Sequence, residues 1–535
     1  MTYVITKNCC SDASCVAVCP VQCIRPRPGD ADFLTVEQLY VDPVSCIDCG
    51  ACADACPVDA ALDATMLTPE SSRYLEINAD YFTENPIEDN LMVGDPVRRL
   101  PRDRPLLKVA IVGSGPAACY TAEALTDIRG VHISVFDKLP LPFGLARTGI
   151  APDHADTRRI MERFHDVLMR PNVDCYFNVE VGRDITVEDL LGFHHAVVAA
   201  TGAAGDRVLA LAGDEPMITR PAREFVGWYN GHPDHSSAQF DLTGDRVVVI
   251  GNGNVALDLA RTLVRDPRQL ESTDMASHAV EALHDSRVRE VMVTGRRDSS
   301  EAAFSTGELM ELEQLDGVDL VVDPAELAGS EEPRWRRETL ARAATREIDD
   351  ARRRVVLRFG LTPLSVDEDD GVLNVTFGKA DGATEVVRAS LILRAVGYRG
   401  VPLDGVPFDD ERGTVIHDHG RVLRSGSSEQ MSGVYCVGWI KRGAIGGIGA
   451  NRFDANETVE SLIADFASGD LADPACHDLE ELSALITARQ PRVVDKAGWR
   501  RIEDAEAGRG DLEGRTRVRF VTIETMLAAS GEPPG

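Results

Sequence analysis

The run Cys46-Ile-Asp-Cys49-Gly-Ala-Cys52-Ala-Asp-Ala-Cys56-Pro57 constrains this chain more than any other feature. It sets three thiols at every third position, then a fourth four residues on, with proline directly after it. Thiolates spaced this way converge on a polynuclear centre: three wrap one iron–sulfur cubane, and the fourth, turned away by the proline, serves a second cluster. Zinc is the competing reading, but zinc sites use paired C-x2-C knuckles instead of a triplet followed by Cys-Pro. Of 13 cysteines, Cys9, Cys10, Cys15, Cys19, Cys23, Cys46, Cys49, Cys52 and Cys56 fall at the start of the chain, while Cys119, Cys175, Cys436 and Cys476 are scattered like packed hydrophobes. The odd total, and an opening segment Met1–Lys7 without the basic-then-apolar layout of a secretory signal, point to metal ligation in a cytoplasmic protein.

A second cluster needs a second half. Cys15-Val-Ala-Val-Cys19-Pro20-Val repeats Cys52-Ala-Asp-Ala-Cys56-Pro57-Val at an offset of 37 residues. Under that offset Cys46, Cys49 and Cys52 fall on Cys9, Asp12 and Cys15, so the middle ligand has become a carboxylate. Cys19 then completes the set of Cys46, Cys49 and Cys52 for a 4Fe–4S cluster, leaving Cys9, Cys15 and Cys56 for the other. Three thiolates suit a 3Fe–4S cluster. Carboxylate is a harder ligand than thiolate, so Asp12 either holds a fourth, labile iron or holds none, with Cys10 as a substitute. Cys23 has no counterpart (Ala60) and is expected to be a packed thiol.

Residues 1–90 carry 4 Lys/Arg against 15 Asp/Glu, and the whole chain has a formal charge of −31. Such a balance disfavours nucleic acid and anionic membrane and favours basic protein surfaces. No apolar run is long enough to span a membrane. With 44% hydrophobic and 27% charged residues over 535 positions, the chain is globular and has room for several folding units.

Two glycine turns follow. Val109-Ala-Ile-Val112 leads into Gly113-Ser-Gly115-Pro-Ala117-Ala118 and a helical pattern, and the next strand-like run ends in Asp137. Small residues there let the backbone meet a pyrophosphate at a helix N-terminus, and the acid can accept from a ribose hydroxyl. Arg246-Val-Val-Val-Ile250 leads likewise into Gly251-Asn252-Gly253-Asn254-Val-Ala256, but the strand after it ends in Gly295-Arg296-Arg297. Paired guanidinium groups suit the 2′-phosphate of NADP. The first site is therefore expected to take FAD and the second NADP(H). Val197-Val-Ala-Ala-Thr201-Gly202 and Ala395-Val-Gly397-Tyr398 read as crossovers between the two folds.

With these motifs in view, roughly residues 1–85 resemble the seven-iron and eight-iron bacterial ferredoxins, with Tyr74-Leu-Glu-Ile-Asn78-Ala79 resembling their closing strand. From about 106 to 535 the chain resembles the adrenodoxin reductase family, most specifically in Pro142-Phe-Gly144-Leu145-Ala-Arg147-Thr-Gly149-Ile-Ala-Pro152-Asp153-His154 and in Gly438-Trp439-Ile-Lys441-Arg442-Gly443-Ala-Ile-Gly446-Gly447-Ile448-Gly449. The whole is similar to a fused ferredoxin/ferredoxin–NADP reductase. That resemblance implies an α+β two-cluster ferredoxin fold followed by α/β architecture with two Rossmann-like dinucleotide-binding domains, like those of adrenodoxin and glutathione reductases. The implied boundaries are 1–85 for the ferredoxin, 86–105 for a proline-rich linker, 106–205 and 396–535 for the FAD domain, and 206–395 for the NADP domain. It also implies that Ala117, Asp137, Leu145, Val181, Trp439, Gly446, Gly447 and Ile448 line the FAD. Asn252, Gly253, Asn254, Arg296, Arg297, Glu308 and Gly446 fall on NADP-binding positions. His154, paired with Glu308, would orient the nicotinamide. Asp298, where the family has glycine, sets a negative charge beside the 2′-phosphate site.

The implied activity is hydride transfer from NADPH to FAD and single-electron delivery to the clusters. From there electrons would pass to an acceptor protein such as a monooxygenase or a separate ferredoxin. The acidic module is expected to dock near Arg147, Arg158, Arg159, Lys441 and Arg442. Two other readings compete: an electron-input subunit like that of NADPH glutamate synthase, and a non-catalytic redox sensor. The closing segment mixes a helix near Leu479–Leu485 with Arg-rich loops around Gly498-Trp499, and order is expected to end at Gly531.

Overall fold

The computed structural model describes residues 2–87, 98–214, 218–327 and 332–531. Half of the expected 86–105 linker (88–97) and the tail beyond Gly531 lie outside the described residues. Residues 98–105 run along the helix Ala450–Ser468, with Arg98 donating to Asn456 at 3.0 Å and the Arg104 guanidinium 4.2 Å from the Phe466 ring centroid.

The cysteine repeat is visible in the backbone. Ser11, Ala13 and Gln22 have positive φ, and so do Asp48, Gly50 and Asp59, each pair separated by the same offset of 37 residues. Short helices follow at Ser14–Val18 and Ala51–Asp54. Two antiparallel ribbons flank them: Tyr3–Ile5 with Ala61–Asp63, and Ile24–Arg25 with Tyr40–Val41.

The expected closing strand is instead the helix Tyr74–Glu84. Tyr74, Asn78 and Tyr81 recur at helical spacing on the face that meets the ribbons. Buried Asn78 takes over the bonding a strand would have made. Its Oδ1 accepts from the amides of Ile5 (3.1 Å) and Val41 (2.9 Å), and its Nδ2 donates to the Ile5 and Tyr74 carbonyls, both at 2.8 Å. One amide side chain thus satisfies the edges of both ribbons, and no further strand is needed there.

Two large sheets form the rest. A seven-stranded sheet carries a parallel core in the order Gln430–Cys436, Ala196–Ala199, Leu107–Val112, Val131–Asp137, Val173–Phe177. A six-stranded parallel sheet runs Thr219–Pro221, Leu391–Arg394, Arg246–Ile250, Glu290–Thr294, Arg353–Arg358, Val318–Val322. The central strands, among them Leu107–Val112, Ala196–Ala199 and Arg246–Ile250, are apolar along nearly their whole length, as parallel strands covered on both faces must be. The chain crosses between the sheets through a two-stranded ribbon, Gly205–Asp206 against Tyr398–Arg399, where the two crossover motifs were placed.

Near the C-terminus Leu479–Arg489 is helical, but Gly498 and Trp499 lie inside an 18-residue helix, Lys496–Glu513, and not in a loop. Asp495 caps it by accepting from the Gly498 amide at 2.7 Å. Trp499 is fully buried between the Phe143 and Phe177 rings, which fixes the helix against the first sheet. The glycines permit close approach: a Cβ at Gly510 would come within 2.6 Å of Arg517 Cα.

Candidate functional site: two thiol cavities, two glycine turns and a charge cluster

Four thiols, Cys19, Cys46, Cys49 and Cys52, share one cavity, lined otherwise by Tyr3, Val21, Cys23, Ile24, Val41, Ile47 and Gly50. Cys9, Cys15 and Cys56 share the other with Cys10, Asp12, Leu39 and Val58. Both partitions are those expected from the offset. Backbone amides point at the sulfurs: Ser11 to Cys9 (3.4 Å), Cys23 to Cys19 (3.4 Å), Asp48 to Cys46 (3.5 Å) and Ala60 to Cys56 (3.2 Å). Amides aimed at ligand sulfurs stabilise the thiolate form that iron–sulfur clusters require, so the donor set fits such clusters. Burial pushes the Cys9 thiol up to about 11 and Cys52 to about 12, values that ligation to iron would override. Cys23, expected to be a packed thiol, is buried but lines the four-thiol cavity, its Sγ 3.5 Å from that of Cys19. Of the seven thiols expected to be ligands, Cys49 alone is exposed, with Val44 and Ile47 exposed near it in the chain.

The first glycine turn sits at the end of the strand Leu107–Val112. Gly113 has φ +107°, and a Cβ there would lie 2.4 Å from the Ala200 carbonyl oxygen. Gly115 caps the helix Pro116–Thr126. Asp137, at the end of the neighbouring strand, accepts from the Ser114 amide at 2.9 Å and from the Leu139 amide at 2.9 Å. Burial raises its carboxyl above the ordinary range despite these bonds. Ala117 meets Gly438, whose added Cβ would lie 2.5 Å from the alanine's own. Leu145 opens the short helix Leu145–Thr148, and Val181 packs under the same sheet. Trp439 Nε1 donates to the Gly446 carbonyl at 3.3 Å. The Thr201 hydroxyl is buried and unpartnered beside this turn, a polar group that a bound nucleotide would satisfy.

The second turn repeats the geometry. Gly251 has φ +116° and faces the Ala395 carbonyl, and Gly253 caps the helix Asn254–Val264. Asn254 Oδ1 accepts from the Ser305 amide at 2.7 Å, and Asn252 lies against Gly295. Arg296 and Arg297 are exposed at the end of the strand Glu290–Thr294, as an anion site requires. Asp298 accepts from the Ser300 amide at 2.9 Å, which turns its carboxylate to capping the next turn.

His154 and Glu308 are brought together, but within a larger cluster. His154 Nε2 lies 2.7 Å from Arg261 Nη2, 3.3 Å from Glu311 and 3.7 Å from Glu308. Arg261, wholly buried, donates to Asp153 (2.6 Å), Asp258 (2.6 Å) and Glu308 (2.8 Å). Burial and Arg261 disfavour the imidazolium, yet the Glu311 hydrogen bond and the Asp258 and Glu308 charges outweigh them, so the His154 pKa lies above its ordinary value. Burial pushes Asp258 up to about 6 even though Arg261 opposes it. Asp153, Asp258, Arg261 and Glu311 were not singled out from the sequence. Their signal was the i,i+3 spacing of Asp258 with Arg261 and of Glu308 with Glu311, each pair on one helix face.

The acidic module docks on a different surface from the one expected. Arg147 is buried against Glu506, Arg158 against Asp274, and Lys441 and Arg442 against Asp454. Desolvated cations consumed by buried carboxylates are not available to a docking partner, and only Arg159, which pairs with Asp59, serves as expected. The working contacts are Asp12 with Arg163, Glu37 with Arg336, Asp80 with Arg334 and Trp335, and Lys7 with Glu311. At the centre the Gly449 amide donates to the Cys10 carbonyl at 2.8 Å, and Phe33 meets Phe453 edge-on at 4.6 Å. The turn expected to line the FAD therefore abuts the loop carrying the three-thiol cavity.

Comparison with known proteins gives two family matches: "4Fe-4S dicluster domain" over residues 8–60 and "Pyridine nucleotide-disulphide oxidoreductase" over residues 107–297. The chain is 42% identical over 554 aligned positions to a "Probable ferredoxin/ferredoxin--NADP reductase" of Mycobacterium bovis, covering 100% of this chain and 96% of that one. It is 38% identical to the mitochondrial "NADPH:adrenodoxin oxidoreductase" of Arabidopsis thaliana, over 79% of this chain and 95% of the relative. Among solved structures, Mycobacterium tuberculosis FprA in complex with NADPH superposes with a TM-score of 0.74 at 37% identity, over 79% of this chain and 99% of that one. Among the described residues, no helix is long and apolar enough to cross a membrane.

Proposed function

Since the chain belongs to the fused ferredoxin/ferredoxin–NADP reductases, we propose that its sites divide the reaction as follows. The protein is a ferredoxin–NADP(+) reductase that carries its own ferredoxin, and it exchanges electrons between NADPH and iron–sulfur centres: two reduced ferredoxins, NADP+ and a proton are in balance with two oxidised ferredoxins and NADPH. A bound flavin supplies the needed conversion, because it takes a hydride from nicotinamide and releases electrons singly.

Gly113, Gly115, Ala117, Asp137, Leu145, Val181, Trp439, Gly446, Gly447 and Ile448 hold FAD in this reading. Gly251, Asn252, Gly253, Asn254, Arg296, Arg297 and Gly446 hold NADP. His154 and Glu308, fixed by Arg261, orient the nicotinamide. Cys19, Cys46, Cys49 and Cys52 bind a 4Fe–4S cluster; Cys9, Cys15 and Cys56 bind a 3Fe–4S cluster. The acceptor is a monooxygenase or a separate ferredoxin, and the thirteen unpaired cysteines suit the cytoplasm.

The contact between the Gly446–Gly449 turn and the Cys10–Asp12 loop carries this assignment, since it sets the three-thiol cavity against the expected flavin site. Anaerobic NADPH titration of the holoprotein tests it. Flavin bleaching should be followed by cluster reduction and by cytochrome c reduction on mixing. Bleaching confined to the flavin, with clusters left oxidised, would overturn it.

A further inference from the structure

We propose that Arg163, on the helix Ile160–Leu168 of the reductase portion, withholds the Asp12 carboxylate from the three-thiol cavity and thereby keeps its cluster at three irons. The inference rests on the ligand partition given above and adds a residue that determines cluster content.

Asp12 occupies the place of Cys49 under the repeat, and the flanking residues share the same left-handed backbone: Ser11 and Ala13 match Asp48 and Gly50. Asp12 and Cys49 each line their own cavity. Backbone placement therefore does not keep Asp12 from acting as a ligand.

Its side-chain partners do. Asp12 Oδ2 accepts from Arg163 Nη1 at 2.8 Å and from Ser14 Oγ at 2.7 Å, and Oδ1 accepts from the Ser14 amide at 3.1 Å. Asp12 is 5% exposed, so the guanidinium bond is a charge-assisted one largely shielded from water. Arg163 is itself anchored by Glu123 at 2.9 Å, and its Nη1 also reaches Ser14 Oγ at 2.8 Å. Arg452 Nη1 holds the Asp12 carbonyl at 3.0 Å and Ser14 Oγ at 3.1 Å. A carboxylate neutralised by guanidinium and two further donors is a poor ligand for ferrous iron, which would have to displace Arg163 to bind. The module's contact with the reductase thus decides the chemistry of the cavity that lies against the flavin turn.

Conversion of the cluster requires one ferrous ion and one electron: the oxidised three-iron core is reduced, and the ion then fills the vacant corner. The test incubates full-length holoprotein anaerobically with ferrous iron and dithionite. After reoxidation, the EPR signal of the three-iron cluster and the iron content per chain are read. Wild type and Arg163→Lys should keep most of the signal. Arg163→Gln should lose most of it and gain one iron per chain. The Arg163→Gln/Asp12→Ala double variant should behave as wild type, which assigns the uptake to the carboxylate and not to Cys10. If Arg163→Gln does not fold, Glu123→Gln loosens the same guanidinium and should convert faster than wild type. Equal conversion of wild type and the Arg163 variants, or persistent uptake in the double variant, overturns the role of Arg163 while leaving the ligand partition standing. Untreated wild type with two four-iron clusters and no three-iron signal overturns both.

Discussion

Arg261 shows how much one buried side chain can organise. Its guanidinium is wholly inaccessible and joins Asp153 from the Pro-Asp-His block to Asp258 on its own helix and Glu308 on the helix Thr306–Glu313. A buried cation bound by several carboxylates is expensive to remove, because each acid is left charged and desolvated. Arg261→Met should cost about 3–5 kcal/mol in chemical denaturation. Arg261→Lys should recover only part of it, since an ammonium cannot reproduce the planar fork. His194 gives the corresponding pH effect. It is buried at the C-terminus of the helix Val187–Phe193, against the first sheet, with Nδ1 donating to the Leu190 carbonyl at 2.8 Å and Nε2 at 2.9 Å from the Ser134 hydroxyl. Burial pulls its pKa down to about 4. The unfolded chain, with an ordinary value of about 6.5, therefore binds the proton first as pH falls, and stability is lost between those two values. Between neutral pH and about pH 5 the loss from this residue should be about 2 kcal/mol, and His194→Gln should flatten the acid limb of a melting-temperature profile by that amount.

At the scale of elements, the parts legible in the sequence are those whose determinants are local. The cysteine offset fixed both cavities because the ligands and the turns that aim them repeat together: Ser11, Ala13 and Gln22 answer Asp48, Gly50 and Asp59 in backbone conformation. The glycine turns were legible for the same reason, since a Cβ at Gly113 or Gly251 would strike a neighbouring carbonyl. The closing element of the first module was not legible. Whether Tyr74–Glu84 is strand or helix depends on ribbon edges distant in sequence, which Asn78 satisfies. Gly449 belongs to the legible class, but its reason was hidden. A Cβ there would lie 2.2 Å from the Asp12 amide nitrogen and 2.4 Å from the Cys10 carbonyl oxygen, both backbone atoms. Gly449→Ala should therefore lift the cysteine loop from the Gly446–Gly449 turn proposed to line the flavin. NADPH-driven ferricyanide reduction, which draws on the flavin directly, should hold, while cytochrome c reduction falls by about ten- to a hundredfold.

For the whole molecule, the docking surface was the least legible feature, because pairing is a tertiary fact. Arg147, Arg158, Lys441 and Arg442 look like free cations in the sequence, yet each is bound to an acid: Arg147 and Arg158 to the distant Glu506 and Asp274, Lys441 and Arg442 to Asp454 on the following helix. The cations that do receive the acidic module lie on both nucleotide-binding portions. Arg159 and Arg163 belong to the FAD side, whereas Arg334 and Arg336, with Glu311 taking Lys7, belong to the NADP side. The module thus bridges the two, and its two sets of contacts should have separable effects. On the NADP side, Glu37 ties the module to Arg336 and to the Thr306 amide, two residues before Glu308. Lys7 meets Glu311, which in turn holds His154. Reversing Lys7→Glu together with Glu37→Lys should therefore raise the KM for NADPH several-fold, with delivery to cytochrome c at saturating NADPH little changed. On the FAD side, Asp59→Lys with Phe33→Ala removes the Arg159 pair and the Phe453 contact, and should leave KM alone while slowing cytochrome c reduction. Tethering holds the module at high effective concentration, so neither variant should release it fully, and added salt should deepen the ionic defects. If both pairs of substitutions moved the same kinetic constant, the module would be acting as one rigid body on a single step, and the division of labour between its faces would be wrong.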